Sequence, residues 1–160
     1  MEKYITLERV IDAPRERVWA AWVDEKQVAQ WWAPKGFTNP VCKVDAKVGG
    51  QIDIVMQAGP NMGPMSGMKA PMQGVFTEVV EPDPSNPSGE ARLVFDNFAV
   101  DEQGNHLLEG VTTVTFEEMG GKTKLTVHTG AKGDAPGVEQ MLGGMEQGWN
   151  EQLDKLVALV

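Results

Sequence analysis

The sequence predicts an α+β fold in which a curved antiparallel sheet of six to seven strands wraps around a long C-terminal helix. Three observations predict it. Apolar residues alternate in the first strand and through the middle of the chain, two short helical segments follow the first strand, and an apolar stripe at helical spacing runs over 134–160. The length of 160 residues suits one domain spanning 1–160.

The chain opens with a strand and two short amphipathic helices. Ile5, Leu7 and Ile11 share one face of the alternating segment, as expected for a strand with one buried side. Asp12 is a candidate N-cap for the first helix, and Asp24 is a candidate N-cap for the second. Apolar residues recur at spacings of three and four in both helices, which predicts one apolar face on each: Val18, Trp19 and Trp22 in the first, and Val28, Trp31 and Trp32 in the second.

From about residue 41 the apolar period returns to two, which predicts a meander of strands. The Gly49-Gly50 pair supplies the positive φ that a tight hairpin turn requires, and Gly120-Gly121 is the plainest turn in the chain. Further strands are predicted over 72–80, 91–100, 110–118 and 123–129.

Two loops interrupt the meander. Residues 81–89 are rich in proline and serine, which predicts an exposed connection. Residues 58–70 combine glycine and proline with Met62, Met65 and Met68. Because methionine is an adaptable apolar side chain, this mixture predicts a mobile apolar flap.

The last segment, 134–160, is the longest helical pattern, and its stripe needs a sheet to pack against. Gly143, Gly144 and Gly148 each weaken a helix interior by about 1 kcal/mol relative to alanine. We therefore expect tertiary contacts to hold this helix in place. Close approach of its backbone to the sheet or to a ligand would explain the glycines.

Composition and charge exclude several functional classes. With 41% hydrophobic and 23% charged residues the chain is globular, and its net charge of −9 disfavours nucleic acid and anionic membranes as partners. A single cysteine and no signal-peptide pattern predict a cytoplasmic protein. No apolar run reaches the roughly 20 residues that a bilayer crossing needs.

Metal and cofactor chemistry find no support in the sequence. His106 and His128 are the only histidines, and neither forms a pair at ligand spacing with the other or with Cys42. The glycine-rich stretches lack the ending of a phosphate-binding loop. We expect no metal site and no cofactor.

Two titratable residues are candidates for catalysis. Asp96 shares parity with Val94 and Phe98 in an apolar strand, so it could face a cavity and act as a general acid or a ligand anchor. The alternative is that Leu93 and Phe95 face inward and Asp96 faces solvent. His128 alternates with apolar neighbours, which favours an outer, solvated position.

Several motifs occur in order along essentially the whole chain: Arg9-x-x-Asp12-Ala13-Pro14, Trp31-Trp32-Ala33-Pro34, Val48-Gly49-Gly50, Gly74-Val75-Phe76, Gly120-Gly121-Lys122 and Gly148-Trp149. On these motifs the chain resembles the SRPBCC superfamily, which has the START-like helix-grip fold. Within it, the chain is similar to domains like the C-terminal part of the activator of the heat-shock protein 90 ATPase. The resemblance implies a deep apolar cavity between sheet and last helix, used by different relatives for binding, for cyclisation or for contacting a chaperone.

Large apolar residues on the predicted core faces are the candidate ligand-lining residues. Filling the core is the simpler role for each of them, but a methionine-rich lining would also accept varied apolar ligands. With the flap over the mouth of the cavity, the candidates are Trp31, Trp32, Phe37, Met56, Met72, Phe76, Phe95, Met141, Met145 and Trp149.

Three functional hypotheses follow. The leading one is binding of a small hydrophobic or amphipathic molecule between the sheet and the last helix. The second is a chaperone-interacting module that uses the exposed flap methionines. The third is a cyclase or hydrolase that uses Asp96 or His128 in the same cavity. The sequence leaves open whether the protein is a monomer or a homodimer.

Overall fold

The computed structural model describes residues 1–160. Its first strand, its two short helices and the strands that follow occur in the order that the apolar patterns of the sequence predict. The helices are α1 (Arg15–Val23), α2 (Glu25–Trp31), α3 (Val138–Gly143) and α4 (Met145–Leu159), with one 3-10 turn at Gly63–Met65. The strands are β1 (Glu2–Ile11), β2 (Phe37–Val44), β3 (Gln51–Ala58), β4 (Lys69–Val80), β5 (Arg92–Val100), β6 (His106–Met119) and β7 (Lys122–Lys132).

The seven strands form one antiparallel sheet in the order β1-β7-β6-β5-β4-β3-β2. The face that carries the helices, here called the inner face, holds a core cluster of 22 buried residues drawn from the strands and from α1, α2 and α4. This arrangement confirms the predicted fold class. None of the four helices has the length and apolar character that a bilayer crossing needs.

The start of α1 differs from the sequence prediction. Asp12 is exposed and does not cap the helix, because the chain turns between Ile11 and Ala13 and the helix begins one residue after Pro14. Asp24 does act as the predicted N-cap of α2, since its side chain accepts a hydrogen bond from the Lys26 amide. Asp24 directly precedes its helix, whereas Asp12 lies three residues before the start of α1.

The predicted single C-terminal helix is divided in two at Gly144, which joins α3 to α4. Close approach of the sheet does not explain the glycines. A Cβ at Gly143 would meet nothing within 4 Å, and one at Gly148 would lie 3.9 Å from a side-chain carbon of Pro34. Packing in this conformation therefore does not require glycine at either position.

The connection between β2 and β3 also differs from the prediction, because it spans 45–50 rather than forming a two-residue turn. Gly49 has the expected positive φ of 82°, whereas Gly50 is needed for another reason. A Cβ on Gly50 would lie 1.9 Å from the Asp45 carbonyl oxygen. The turn at Gly120-Gly121 is a two-residue hairpin with positive φ at both glycines, as predicted.

The proline-rich loop over 81–89 is more than an exposed connection, because it wraps around a buried arginine. Arg15, at the start of α1, is 1% exposed and donates hydrogen bonds to the backbone carbonyl oxygens of Asp83, Asn86 and Gly89. The guanidinium is paired with backbone carbonyls rather than with a carboxylate. Its only sequence signal is a basic residue within a helical pattern that otherwise predicts a surface position.

Candidate functional site

The inner face of the sheet has two ends that differ in composition. The tryptophan end lies beneath α1, α2 and the later part of α4, where Trp22, Trp31 and Phe116 are buried. The α3 end lies at the other ends of the same strands. Its side chains include Met72 and Asn97, and α3 packs against it.

Aromatic contacts connect the helices to one another at the tryptophan end. The rings of Trp22 and Trp31 lie 4.6 Å apart, and those of Trp19 and Phe116 lie 5.1 Å apart. Trp149 on α4 reaches this group, with ring centroids 6.3 Å from Trp22 and 5.3 Å from Trp32. Trp149 thus joins the final helix to the core.

The deep cavity expected from the family resemblance is absent at the tryptophan end. A void of about 10 Å³ lies there, which is room for about one water molecule. Large aromatic side chains fill the space between the sheet and the helices, so this end is closed. The predicted residues Trp31, Trp32, Phe76 and Phe95 line the void, together with six that the sequence analysis did not select: Trp22, Val28, Val44, Ile52, Ile54 and Leu93.

Two indole groups in this region differ in their hydrogen bonding. Trp31 Nε1 donates to the Ala21 carbonyl oxygen at 2.7 Å. Trp22 Nε1 is buried, and no protein acceptor reaches it. A buried N–H without a partner costs free energy, so the Trp22 side chain is held by its packing.

The α3 end is open by comparison. Met56, Met72 and Trp149 pack against the core cluster and remain partly exposed. Met145 lies one turn before Trp149 on α4 and is partly exposed as well. Register places Met72 opposite Ile54 and Ala99, so the methionines continue the apolar inner surface toward solvent.

A row of polar side chains crosses the α3 end, and the sequence analysis missed it. Thr112 Oγ1 donates to Asn97 Oδ1 at 2.8 Å and lies 2.7 Å from Thr129 Oγ1. Asn97 Nδ2 donates to the Gly130 carbonyl oxygen at 3.3 Å. These three side chains come from the adjacent strands β5, β6 and β7, and we call them the Asn-Thr-Thr row.

Strand parity contains a signal for this row. Asn97 follows Phe95 by two positions, Thr112 precedes Val114 by two, and Thr129 follows Val127 by two. Each polar residue therefore shares its face with buried apolar residues. The signal was missed for Asn97 because Asp96, the charged neighbour, was weighed in its place.

The short helix α3 covers one side of the Asn-Thr-Thr row. It is held by a separate small cluster in which Val138 and Leu142 pack with Leu108 and Ala131 of the sheet. This cluster is distinct from the main core cluster. Since a cluster of four buried residues removes far less apolar area from water than one of 22, α3 is the more weakly anchored part of the inner face.

The predicted flap is folded against the connection between α2 and β2. The Gly59 amide donates to the Gly36 carbonyl oxygen at 2.8 Å, and a Cβ on Gly36 would lie 2.5 Å from Met62 Sδ. Met62 is partly buried in this contact, whereas Met65 is 46% exposed and Met68 is 56% exposed. The three methionines therefore do not form one surface.

The same connection is tied to α4 on its other side. Lys155 Nζ donates to the carbonyl oxygens of Ala33 at 2.9 Å and Pro34 at 3.3 Å. Partial burial lowers the pKa of Lys155 below its usual value, and the charge of Glu151 opposes this effect. The segment between α2 and β2 thus contacts both the final helix and the flap.

The two candidate catalytic residues lie on the outer face and are not brought together at a site. Leu93 and Phe95 are buried, so Asp96 points outward, as in the alternative interpretation of this strand. His128 is exposed, bonds to Thr6 Oγ1 at 2.8 Å and stacks on Tyr4. Neither residue is placed to act on a molecule bound at the inner face.

Two of the candidate lining residues lie away from the inner apolar surface. Met141 on α3 is 40% exposed, because the short α3 turns only Val138 and Leu142 toward the sheet. Phe37 begins β2 opposite Ala58, is partly buried and lies outside the core cluster. The sequence analysis predicted one helix over 134–160, and Met141 lies on the apolar stripe of that helix. Because the structure breaks the helix at Gly144, Met141 does not share a face with the apolar residues of α4.

Other surface features form no built site. An open groove of about 550 Å³ lies near the starts of β1 and β6, where His106 bonds to Glu109 and the amino group of Met1 contacts Asp134. Its lining is mostly polar, and it lies apart from the apolar surface just described. No three side chains of the types His, Cys, Asp and Glu come together as metal ligands.

The fold and the apolar inner surface define a helix-grip α+β protein. Residues 12–160 match the family described as Activator of Hsp90 ATPase homolog 1-like protein. The chain belongs to this family, which confirms the resemblance found in the sequence. No curated protein matches the chain.

Solved structures agree with this assignment. Protein CV1439 from Chromobacterium violaceum is 28% identical, with a TM-score of 0.77 over 98% of this chain and 96% of that one. A protein from Arthrobacter aurescens is 27% identical, with a TM-score of 0.76 over 98% and 84%. The AHSA1 (SPO3351) protein from Silicibacter pomeroyi, at 23% identity and a TM-score of 0.72 over 98% and 96%, shows the same fold.

Proposed function

We propose that this protein binds a small hydrophobic or amphipathic molecule at the α3 end of the inner face, between the sheet and the C-terminal helices. The observation that carries the proposal is that Met56, Met72 and Trp149 pack against the core cluster and stay partly exposed, with Met145 one turn before Trp149 on α4. These side chains continue the inner face beyond the closed core. Methionine side chains adapt to ligands of different shape, which suits such a surface to small-molecule binding.

The break between α3 and α4 gives further support. Gly143 and Gly144 are exposed, and a Cβ at Gly143 would meet nothing within 4 Å. Together with the small cluster beneath it, the glycine junction lets α3 move at low energetic cost. Because the core void is only about 10 Å³, a ligand of ordinary size needs the α3 end and a displacement of α3.

A matched pair of variants tests this location. Met72→Lys places a charge on the inner face, and Gln73→Lys places the same charge on the exposed outer face of the same strand. The neutral fluorophore N-phenyl-1-naphthylamine is the probe. We expect its fluorescence enhancement in the wild type and in Gln73→Lys, and at least about tenfold weaker binding in Met72→Lys, since burying an unpaired charge is unfavourable.

Equal binding by both lysine variants would contradict the proposed location, and no binding by the wild type would contradict the function.

Native mass spectrometry of freshly purified protein complements the titration. We expect an adduct that is lost on denaturation, and extraction then identifies its chemical class. The mass of each variant under the same conditions shows whether the adduct occupies the same site.

Contact with a chaperone is a second proposal. It is supported by the exposure of Met65 and Met68 and by the description of the family, which names an activator of the Hsp90 ATPase. The double variant Met65→Ser and Met68→Ser removes apolar surface without touching the core. If the proposal holds, purified Hsp90 is retained by the wild type and lost by the double variant. Equal retention, or none by either protein, contradicts it.

A further inference from the structure

We propose that the Asn-Thr-Thr row is a specificity site that holds the uncharged polar head of an amphipathic ligand, with Asn97 making the direct contact. This inference rests on the proposed function, since it places the head of a molecule whose tail lies on the neighbouring apolar surface. The head class that fits is a hydroxyl or a carbonyl or amide group.

Position comes first. Asn97 is the one polar side chain that β3, β4 and β5 place on the inner face, where its neighbours along the strand are Phe95 and Ala99. It pairs with Gly74 on β4 and with Gly110 on β6. The two positions paired with Asn97 therefore carry no side chain, and Thr112 of β6 is the neighbour that bonds to the amide. Asn97 remains partly exposed.

The hydrogen bonds within the row fix the orientation of the amide. The Gly130 carbonyl oxygen only accepts, so the group facing it is Nδ2, and Oδ1 faces the hydroxyl of Thr112. Thr112 uses its one hydrogen on Asn97, so Thr129 donates to Thr112. The row is thus a chain of oriented donors that starts at the 2% exposed Thr129 and ends at Asn97.

This orientation leaves specific groups free for a ligand. An asparagine amide has two N–H donors and two acceptor lone pairs. One donor is used by Gly130 and one lone pair by Thr112. Asn97 therefore has one donor and one acceptor left over. A hydroxyl or an amide can use both, whereas a carboxylate can only accept and an ammonium can only donate.

The charges around the row agree with an uncharged head. No charged side chain lies on the inner face of β3, β4 or β5, and the inner-face cations Lys3 and Arg9 both lie on β1. β1 is three strands from β5 in the sheet, so neither cation is paired with Asn97, although the Asn97 amide itself reaches Gly130 of β7, the strand next to β1. Arg9 is moreover bonded to Asn150 at 2.7 Å. A charged head at Asn97 would lose hydration, and the paired positions Gly74 and Gly110 offer it no side chain of opposite charge.

Three probes with one ten-carbon tail test the head preference: decan-1-ol, decanoate and decyltrimethylammonium. Each is titrated against wild-type protein loaded with N-phenyl-1-naphthylamine. We expect decan-1-ol to displace the fluorophore at least about tenfold more effectively than either charged probe. The fluorophore itself reports binding at the apolar surface alone.

Variants then test whether Asn97 is the cause of the preference. Asn97→Leu should weaken decan-1-ol binding about fivefold to tenfold, the size expected for one or two lost hydrogen bonds, and leave the fluorophore affinity unchanged. Asn97→Asp should shift the preference to decyltrimethylammonium. Thr113→Val, one residue from Thr112 but on the outer face, is the matched control and should bind as the wild type does.

If Asn97→Leu does not fold, Thr112→Val takes its place, because it keeps the side-chain shape and removes only the hydroxyl that orients the amide. Unchanged decan-1-ol binding in the folded variant, or a wild-type preference for a charged head, overturns this inference and leaves the proposed function standing. Failure of the wild type to bind either the fluorophore or decan-1-ol overturns the proposed function as well.

Discussion

The two ends of the inner face use the same strands and contain different side chains. At the tryptophan end, aromatic rings from α1, α2 and α4 fill the space and leave a void of about 10 Å³. At the α3 end, methionines and Asn97 remain partly accessible beside a short helix with its own small cluster. From this difference we expect the tryptophan end to contribute most of the stability of the fold, and it is the reason for placing the proposed ligand at the α3 end.

The largest expected effect is at the tryptophan end. Trp31 is fully buried, and its indole N–H bonds to Ala21. We expect Trp31→Ala to lower the free energy of unfolding by about 3–5 kcal/mol, because it removes a large buried ring and leaves a cavity. Urea unfolding followed by circular dichroism measures this change. Met72→Ala, at the α3 end, is the control and should cost clearly less; equal losses would contradict the proposed division.

An intermediate effect is expected at Trp149, which packs on the tryptophan end and is partly exposed. Its ring packs on Trp22 and Trp32, yet it is partly exposed toward the α3 end. We expect Trp149→Ala to lower the free energy of unfolding by about 2–3 kcal/mol, less than a fully buried tryptophan, and to weaken binding of N-phenyl-1-naphthylamine. Loss of stability with unchanged binding would place Trp149 wholly with the closed end.

The general architecture was predictable from the sequence, because period-two and helical patterns report which face of each element is apolar. They placed the order of elements, the strands of the meander and the turn at Gly120-Gly121. They also identified Trp31, Trp32, Phe76 and Phe95 as inner residues. These features depend on local pattern, which a single sequence contains.

The closed core, the break at Gly144 and the buried Arg15 were not predictable in the same way. The size of a void depends on how closely the helices approach the sheet. Apolar periodicity shows which way a side chain points, but it does not show the distance between two elements. The Arg15 contacts join residues more than sixty positions apart through backbone carbonyls, which leave no trace in side-chain pattern. Asn97 is a different case, because the alternation in β5 places it on the same face as Leu93 and Phe95. The sequence analysis considered the charged neighbour Asp96 instead.

A smaller effect, of opposite sign, is expected at the α3 junction. Gly143→Ala should raise the free energy of unfolding by up to about 1 kcal/mol, because the site is helical and open and alanine loses less conformational freedom on folding. The same change should slow binding of N-phenyl-1-naphthylamine if α3 must move. Gly74→Ala is the contrasting control: its Cβ would lie 2.6 Å from the Asp96 carbonyl oxygen, so that variant should be less stable.

An effect confined to alkaline pH concerns Cys42 of β2, which packs against the closed core. Burial, together with the negative charge of Glu25, raises the pKa of its thiol from 9.0 to about 11. At pH 8 the thiolate is therefore scarcer in the folded chain than in the unfolded one, and we expect alkylation by iodoacetamide to be roughly 100-fold slower than in urea.

Between pH 9 and 11 only the unfolded chain loses this proton readily, so stability should fall as the pH rises through that range. A Cys42→Ser variant, which lacks the thiol, should show a smaller fall. If the native protein reacts as fast as the unfolded one, the core beside β2 opens as readily as the α3 end, and the contrast between the two ends is lost.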